Sequence, residues 1–298
     1  MTERPTTRLR RLLERPGCLL APGAADALMA RLVAEAGFEV VYLTGFGTSV
    51  TRLGMPDIGL LTASEMIDNA ARVYDACGLP VEADADTGYG NAINVRRTVR
   101  EFEKAGVAAL HLEDQVAPKR CGHLAGKRVI ETSEMIGKIK AACDARHDPD
   151  LLLIIRTDAI AIEGMEAAFE RAERYREAGA DMLFIEAPVG RAQCEQVAAR
   201  FKDVPLLYNM AASGKSPDLS IDELGRLGFK LANFALYGIL AAIPAIRHVL
   251  AEMRKSGTVA HLRGGMATFK ELTEIVGLPE IEQLERRYGT PDDQLTRL

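Results

Sequence analysis

Short apolar runs alternate along this chain with longer stretches in which apolar residues recur every three or four positions. The first pattern is that of strands buried on both faces, and the second that of amphipathic helices. The runs read as strands are Cys18–Ala21, Val40–Thr44, Pro80–Asp84, Ala108–Leu112, Leu152–Thr157, Met182–Ile185, Pro205–Tyr208 and Leu231–Phe234. Between them the spacing predicts helices over Ala25–Ala36, Ala63–Ala76, Val95–Ala105, Ser133–Ala145, Met165–Ala178 and Arg191–Arg200. Gly37, Gly106 and Gly179 each stand just after one of these helices, where a left-handed cap is needed.

Eight strands alternating with helices call for parallel crossovers. For 298 residues a closed (β/α)8 TIM-type barrel is the leading architecture, with a doubly wound open sheet as the alternative. One barrel domain is expected over residues 1–298, with about 256–298 as a C-terminal helical tail that packs on a neighbouring subunit. A helix near Thr268–Ile275 belongs to that tail.

Composition narrows the partners. A net charge of −5 argues against a nucleic acid or an anionic membrane surface. The five cysteines show neither a CxxC pair nor a zinc spacing, which fits a reducing compartment. The opening MTERPTTRLRRLLERPG is charged and lacks the apolar centre of a signal peptide. The longest apolar stretch, Phe234–Ile246, is too short to span a membrane. The expectation is a cytoplasmic protein acting on a small molecule.

A barrel carries its functional groups at the carboxyl ends of its strands. Those ends are rich in acids here: Asp57 beyond strand two, Asp84 and Asp86 at strand three, Glu113 and Asp114 at strand four, Asp158 at strand five and Glu186 at strand six. Asp84 and Asp86, two apart, share a face if the strand stays extended. Any one of these acids by itself reads equally well as a helix cap or an arginine partner. Together they repel one another unless a cation intervenes, and an all-oxygen donor set suits Mg2+, with Mn2+ as a substitute.

The loop after strand four, Pro118–Arg128, contains Lys119, Arg120, Lys127 and Arg128 among small residues, as a lid over an anion would. Positive neighbours should lower the pKa of Cys121, making it a proton donor or acceptor near neutral pH. From composition alone an incidental surface cysteine is the better reading. His111 reads as a satisfied interior histidine, and Cys18, Cys77, Cys143 and Cys194 as packing residues.

Lys119-Arg120-Cys121-Gly122-His123 resembles the signature loop of the isocitrate lyase and phosphoenolpyruvate mutase superfamily. The likeness extends through Leu53–Asp57, Asp84–Gly90, Leu112–Gln115 and Arg156–Ala159, in order from near Arg8 to near Lys255. The resemblance implies a (β/α)8 barrel with Asp86 as the closest Mg2+ ligand and Asp57, Asp84 and Glu113 holding the metal's water shell. It places Tyr42 beside the metal. Thr44, Gly45, Phe46 and Gly122 fall in the substrate-binding set, Arg156 on a carboxylate, and Glu186 and Asn209 at the far end. Members that cut a carbon–carbon bond carry the cysteine, whereas phosphonate mutases and related decarboxylases typically lack it. Cys121 is then the proton donor to a carbanion, with His123 and Glu186 tuning it. The last helix is often exchanged between subunits in this family, which implies a homo-oligomer, a dimer or a homotetramer.

The chain also departs from the methylisocitrate lyase pattern. There the asparagine after strand seven is followed by Thr-Glu, and an arginine lies early in helix eight. Here Asn209 is followed by Met210–Pro217, helix eight begins in the apolar run Ala235–Ile243, and the next arginine is Arg247. An apolar pocket rejects an unpaired charge, so a dicarboxylate with alkyl substituents, of the dimethylmalate type, fits as readily as methylisocitrate. Ser213 or Lys215 remains as a replacement contact. An oxaloacetate hydrolase on the same metal site is the nearest rival. A decarboxylase and a catalytically silent binding barrel are the others, and the intact acids, Cys121 and Arg156 argue against silence.

Overall fold

The computed structural model describes residues 3–122, 125–212 and 214–296. Eight parallel strands close into a barrel in sequence order: β1 (Leu19–Ala24), β2 (Val41–Leu43), β3 (Val81–Asp84), β4 (Ala109–Glu113), β5 (Leu152–Thr157), β6 (Met182–Ile185), β7 (Leu206–Asn209) and β8 (Leu231–Phe234). β8 returns to β1, with Leu19 opposite Leu231 and Pro22 opposite Phe234. The closed barrel expected from the sequence is thus the one that forms, and the alternative open sheet is excluded.

β1 runs to Ala24 rather than ending at Ala21. Proline offers no N–H to a ladder and is seldom found inside a strand. In the barrel, Gly23 still pairs in register with Tyr42 and Pro22 with Phe234.

The helices are α1 (Pro5–Leu13), α2 (Ala27–Glu35), α3 (Gly45–Thr48), α4 (Ala63–Cys77), α5 (Ala92–Lys104), α6 (Thr132–Ala145), α7 (Ile160–Glu163), α8 (Met165–Glu177), α9 (Gly190–Arg200), α10 (Ile221–Leu227), α11 (Tyr237–Ser256), α12 (Phe269–Ile275) and α13 (Leu278–Arg287). The six helices expected from periodicity all form, with ends shifted by a few residues. Their starts have chemical causes. The Asp26 carboxylate accepts from the Met29 N–H ahead of α2, and Thr62 and Glu65 form a capping box at α4.

The apolar interior has two layers. One lies between the strands and the surrounding helices, and includes Leu43, Val81, Leu110, Leu153 and Leu183. The other fills the barrel and gathers Ala21, Val40, Ala108, Leu152, Met182 and Leu231 with Leu9 and Leu13 of α1. α1 therefore seals the amino-terminal mouth with apolar side chains and leaves chemistry to the carboxyl mouth.

The chain divides into two compact units, Met1–Tyr237 and Gly238–Leu298. The second holds nearly all of α11 together with α12 and α13. α12 lies where it was expected, started by a Thr268–Glu271 capping box. No helix among the described residues is long and apolar enough to cross a membrane.

Candidate active site

β3 ends at Asp84, and the chain turns immediately. Asp86 adopts φ 47°, with its N–H donated to Asp84 Oδ1 at 2.9 Å. The two carboxylates thus reach the same rim through a turn rather than along one extended strand. A left-handed aspartate is a strained backbone that the surrounding contacts must hold, and such residues cluster at functional sites. Against Asp84 lies Gly45, where an added Cβ would meet Asp84 Oδ2 at 2.5 Å. Only glycine fits there, and the first amides of α3, including those of Gly45 and Phe46, have no intrahelical acceptor. Thr44 caps this turn, its Oγ1 accepting from the Gly47 N–H.

Asp57 follows a π-helical turn over Ser49–Leu53, and Ser49 Oγ bonds the carbonyls of Met55 and Pro56 just ahead of it. Glu113 ends β4, in register with Arg156 on β5, and Arg156 Nε lies 3.4 Å from Glu113 Oε2. Lys119 enters from the lid. Its Nζ lies 2.5 Å from Asp57 Oδ1 and 2.9 Å from Asp86 Oδ1, with the side chain only 4% exposed. This lysine is committed to the carboxylates, a pairing that its count among basic loop residues did not reveal.

The electrostatics of the cluster follow from burial. Desolvation pushes the Asp86 carboxyl up to about 6 despite the ammonium of Lys119 beside it. It also raises Glu113 well above the ordinary range, against the pull of Arg156. Burial opposes the charge on Lys119, but Asp86, Glu113, Asp57 and Asp84 together hold its pKa well up. Glu113 Oε1 is buried without a hydrogen-bond partner. No group of three or more His, Cys, Asp or Glu among the described residues is placed to hold a metal ion directly. An all-oxygen set with few direct ligands and an orphaned carboxylate oxygen fits a hard cation that keeps much of its water shell.

Beneath the rim, His111 is fully buried between two acids, Nδ1 3.2 Å from Glu82 Oε1 and Nε2 2.9 Å from Asp84 Oδ1. Burial disfavours its charge, yet Asp84 and Glu82 outweigh it and bring its pKa up to about 10. In turn, burial would raise the Asp84 carboxyl, but the imidazolium holds it well below the carboxylate range. Asn233 donates to Glu82 Oε1 at 2.9 Å, and the Tyr42 hydroxyl lies 3.5 Å from Asp84 Oδ2. His111 is the interior histidine that was expected, held between Glu82 and Asp84. Its partners could be found only by placing β3, β4 and β8 side by side.

The lid is pinned at its base. Gln115 bridges to Val129 in antiparallel sense, and its side-chain amide pairs with both the N–H and the C=O of Arg120. Further along, the Cys121 N–H donates to the Asp57 carbonyl at 3.1 Å. Gly122 presses on the site so closely that an added Cβ would stand 2.3 Å from Glu186 Oε1 and 2.4 Å from Arg156 Nη2. His123 lies outside the described residues, as does Ser213.

These parts enclose a cavity of about 140 Å³, small beside the roughly 300–1,000 Å³ of sites for drug-sized ligands. Tyr42, Thr44, Phe46, Asp57, Asp84, Cys121, Gly122, Arg156, Glu186 and Asn209 line it, so most of the residues singled out in the sequence meet here. Asp86 and Glu113 stand behind that surface through Lys119 and Arg156. Asn209 Nδ2 reaches Glu186 Oε1 at 3.3 Å. Ala211, Ala212, Gly214, Ala235 and Leu236 form the far wall, and among the described residues none of that wall is charged. Lys215 is exposed and does not line the cavity.

A closed parallel barrel with acids, a lid and a thiol at its carboxyl mouth defines the class of barrel enzymes that work at that end. The chain belongs to the PEP mutase/isocitrate lyase superfamily: the family model described as phosphoenolpyruvate phosphomutase matches residues 9–254. A 2,3-dimethylmalate lyase of Eubacterium barkeri is 43% identical over 283 residues, covering 95% of this chain and 98% of that protein. A 2-methylisocitrate lyase of Aeropyrum pernix is 40% identical over 293 residues, covering 98% and 94%. Among solved structures, a 2,3-dimethylmalate lyase matches with a TM-score of 0.94 at 37% identity, covering all of both chains. An oxaloacetate acetylhydrolase bound to 3,3-difluorooxalacetate matches with a TM-score of 0.92 at 37% identity, covering 97% and 98%.

Proposed function

We propose that this protein is a Mg2+-dependent carbon–carbon lyase that cleaves a 2-hydroxy dicarboxylate bearing small alkyl groups, of the 2,3-dimethylmalate type, into a 2-oxo acid and a simple carboxylate. The relatives support the reaction class. The observation that carries the substrate is the wall of Ala211, Ala212, Gly214, Ala235 and Leu236, which is uncharged among the described residues. A third carboxylate against that wall would be buried without a counter-charge, at a cost of several kcal/mol, about what an unpaired buried ion meets in a protein. Alkyl groups incur no such cost.

The residues divide the work. Asp57, Asp84, Asp86 and Glu113 would hold Mg2+, with Mn2+ as a substitute, and the bound ion would supply Lewis-acid stabilisation of the 2-oxo acid's oxygens. Arg156 keeps the donors that Asp158 leaves open for a substrate carboxylate. The amides of Gly45 and Phe46 and the Thr44 hydroxyl receive oxygen charge. When the C2–C3 bond breaks, its electron pair stays on C3, beside the second carboxylate, and the 2-hydroxyl proton passes to a carboxylate of the acidic rim. Cys121 donates its thiol proton to C3, with His123 and Glu186 as tuning partners. The lid over the site excludes water from that carbanion. For 2,3-dimethylmalate the products are pyruvate and propionate.

A second reading is hydrolysis of oxaloacetate on the same site, supported by the likeness to the acetylhydrolase structure. A product assay with Mg2+ on 2,3-dimethylmalate, methylisocitrate, isocitrate and oxaloacetate separates them. Pyruvate from dimethylmalate, with little turnover of the tricarboxylates, is the expected result. Oxalate and acetate from oxaloacetate, with no hydroxy acid cleaved, replaces the lyase by the hydrolase. We also infer a cytoplasmic homo-oligomer, a dimer or a tetramer. Helix α11 exposes Leu240, Ile246, Leu250 and Met253, and an apolar stripe of this kind marks an interaction surface.

A further inference from the structure

Lys127 belongs to the lid, and none of the roles above uses it. Its side chain is 2% exposed, and Nζ lies 2.8 Å from Asp158 Oδ1. The same ammonium donates to the carbonyl of Gly122, the residue after Cys121. Asp158 is a fixed anchor. Its two oxygens accept from Nε and Nη2 of Arg156, both at 2.9 Å. Its backbone N–H donates to Asp114 Oδ1, and Asp114 in turn is held by Thr157 and Tyr175. Lys127 thus touches the lid beside the thiol with one hydrogen bond and the support of the substrate-gripping arginine with another.

We propose that Lys127 is a positioning residue whose ammonium latches the lid, through the Gly122 carbonyl, onto the carboxylate that orients Arg156, so that Cys121 and Arg156 come into place together. The proposal rests on the reading in which those two residues act on the substrate. The physical logic is selection of one geometry. A lysine held this deep must offset its lost hydration, and it does so only with Asp158 and the Gly122 carbonyl both at hand. Lifting only the tip of the loop at Gly122 would strip the ammonium of the carbonyl, and lifting the whole loop would part it from Asp158; either leaves a buried charge incompletely bonded. An ion pair of this sort adds little net stability but disfavours the arrangements in which it is incomplete. Lysine suits the task because its three donors can serve two acceptors from different segments at once. The close seat of Gly122 against Glu186 and Arg156 shows how little slack the latched state has.

The test combines hydrogen exchange of residues 116–130 in the full-length protein with kinetics, for wild type, K127M and K127R. Exchange is read with MgCl2 and oxalate, a planar dianion with the shape of a 2-oxo acid enolate. The latch predicts faster lid exchange in K127M at a Tm near that of wild type. It also predicts a kcat on dimethylmalate lowered by about 100-fold, the scale of a one-ångström misplacement, with a raised KM. In K127R, where a charged donor remains, much of both is recovered. Wild-type exchange and a kcat within threefold of wild type, about the edge of a measurable positioning effect, in K127M overturn it. If K127M unfolds, K127R decides: slow lid exchange with kcat within about tenfold supports the latch, and fast exchange with unchanged kcat overturns it. If the wild type cleaves none of the four acids, the proposed reaction fails, while the exchange comparison still decides whether Lys127 holds the lid.

Discussion

Arg156 and Asp158, two residues apart at the end of β5, face each other as a bidentate pair, with Nε and Nη2 each 2.9 Å from a carboxylate oxygen. The pair turns a flexible side chain into a fixed one. A planar guanidinium gripped along one edge can present only its remaining donors, and Arg156 is among the residues that line the cavity. If Arg156 grips a substrate carboxylate as proposed, its aim depends on Asp158.

Asp158 should also be visible in acid. Burial would raise its carboxyl, but Arg156 and Lys127 prevail and hold it at about 2, below its ordinary 3.8. A group lowered in the folded state contributes stability above its unfolded pKa and loses it as pH falls through the folded value. The contribution is present above about pH 4 and fades towards about pH 2. Asp158→Asn leaves two buried cations short of a counter-charge, so urea unfolding near neutral pH should show a loss of about 3–5 kcal/mol. That gap should narrow at about pH 3. A gap that stays constant with pH would remove the ion pair as its cause.

Gly122→Ala places a Cβ where Glu186 Oε1 and Arg156 Nη2 already stand, at 2.3 and 2.4 Å. The lid must then lift or the two side chains must shift. Turnover should fall by about 100-fold, with Tm changed by no more than about 2 °C, as for a change at a loop rather than in the core. Steady-state kinetics beside a melting curve reads both. Full activity in this variant would mean that the lid need not seat as the structure shows.

Cys121→Ser keeps the shape of the side chain and removes an acidic thiol proton. Cleavage of the hydroxy acid should drop by about 10²–10⁴-fold, the usual contribution of a positioned acid. Melting should be unaffected, since the residue is only half-buried. Turnover retained in the serine variant takes the proton-donor role away from Cys121.

Asp86→Ala removes the carboxylate nearest to the proposed ion, and Lys119 then has Asp57 alone of its two close partners. Titration of Mg2+ or Mn2+ by calorimetry should lose its binding isotherm, and activity should lose its metal dependence. Wild-type affinity for the ion would place the direct ligand elsewhere.

The barrel was legible because its cause is local. Alternation of fully apolar runs with helical spacing repeats eight times, and each repeat reports its own burial. What local reading handled poorly were the places where neighbours override it. Pro22 and Gly23 continue a strand that their own chemistry would end, because β2 and β8 flank them. Asp86 reaches the rim by a strained turn instead of by strand alternation.

By itself the sequence determined the barrel class, the acidic rim, the basic loop with its cysteine and the apolar run Ala235–Ile243. All of these follow from residue type, order and period, which a chain carries before it folds. Only the tertiary structure decided who partners whom. Lys119 is drawn between Asp57 and Asp86, His111 between Glu82 and Asp84, and Lys127 between Gly122 and Asp158. The ion pairs among these join segments far apart in the chain, and each is chosen because a buried charge must find its counterpart wherever closure of the barrel has put one.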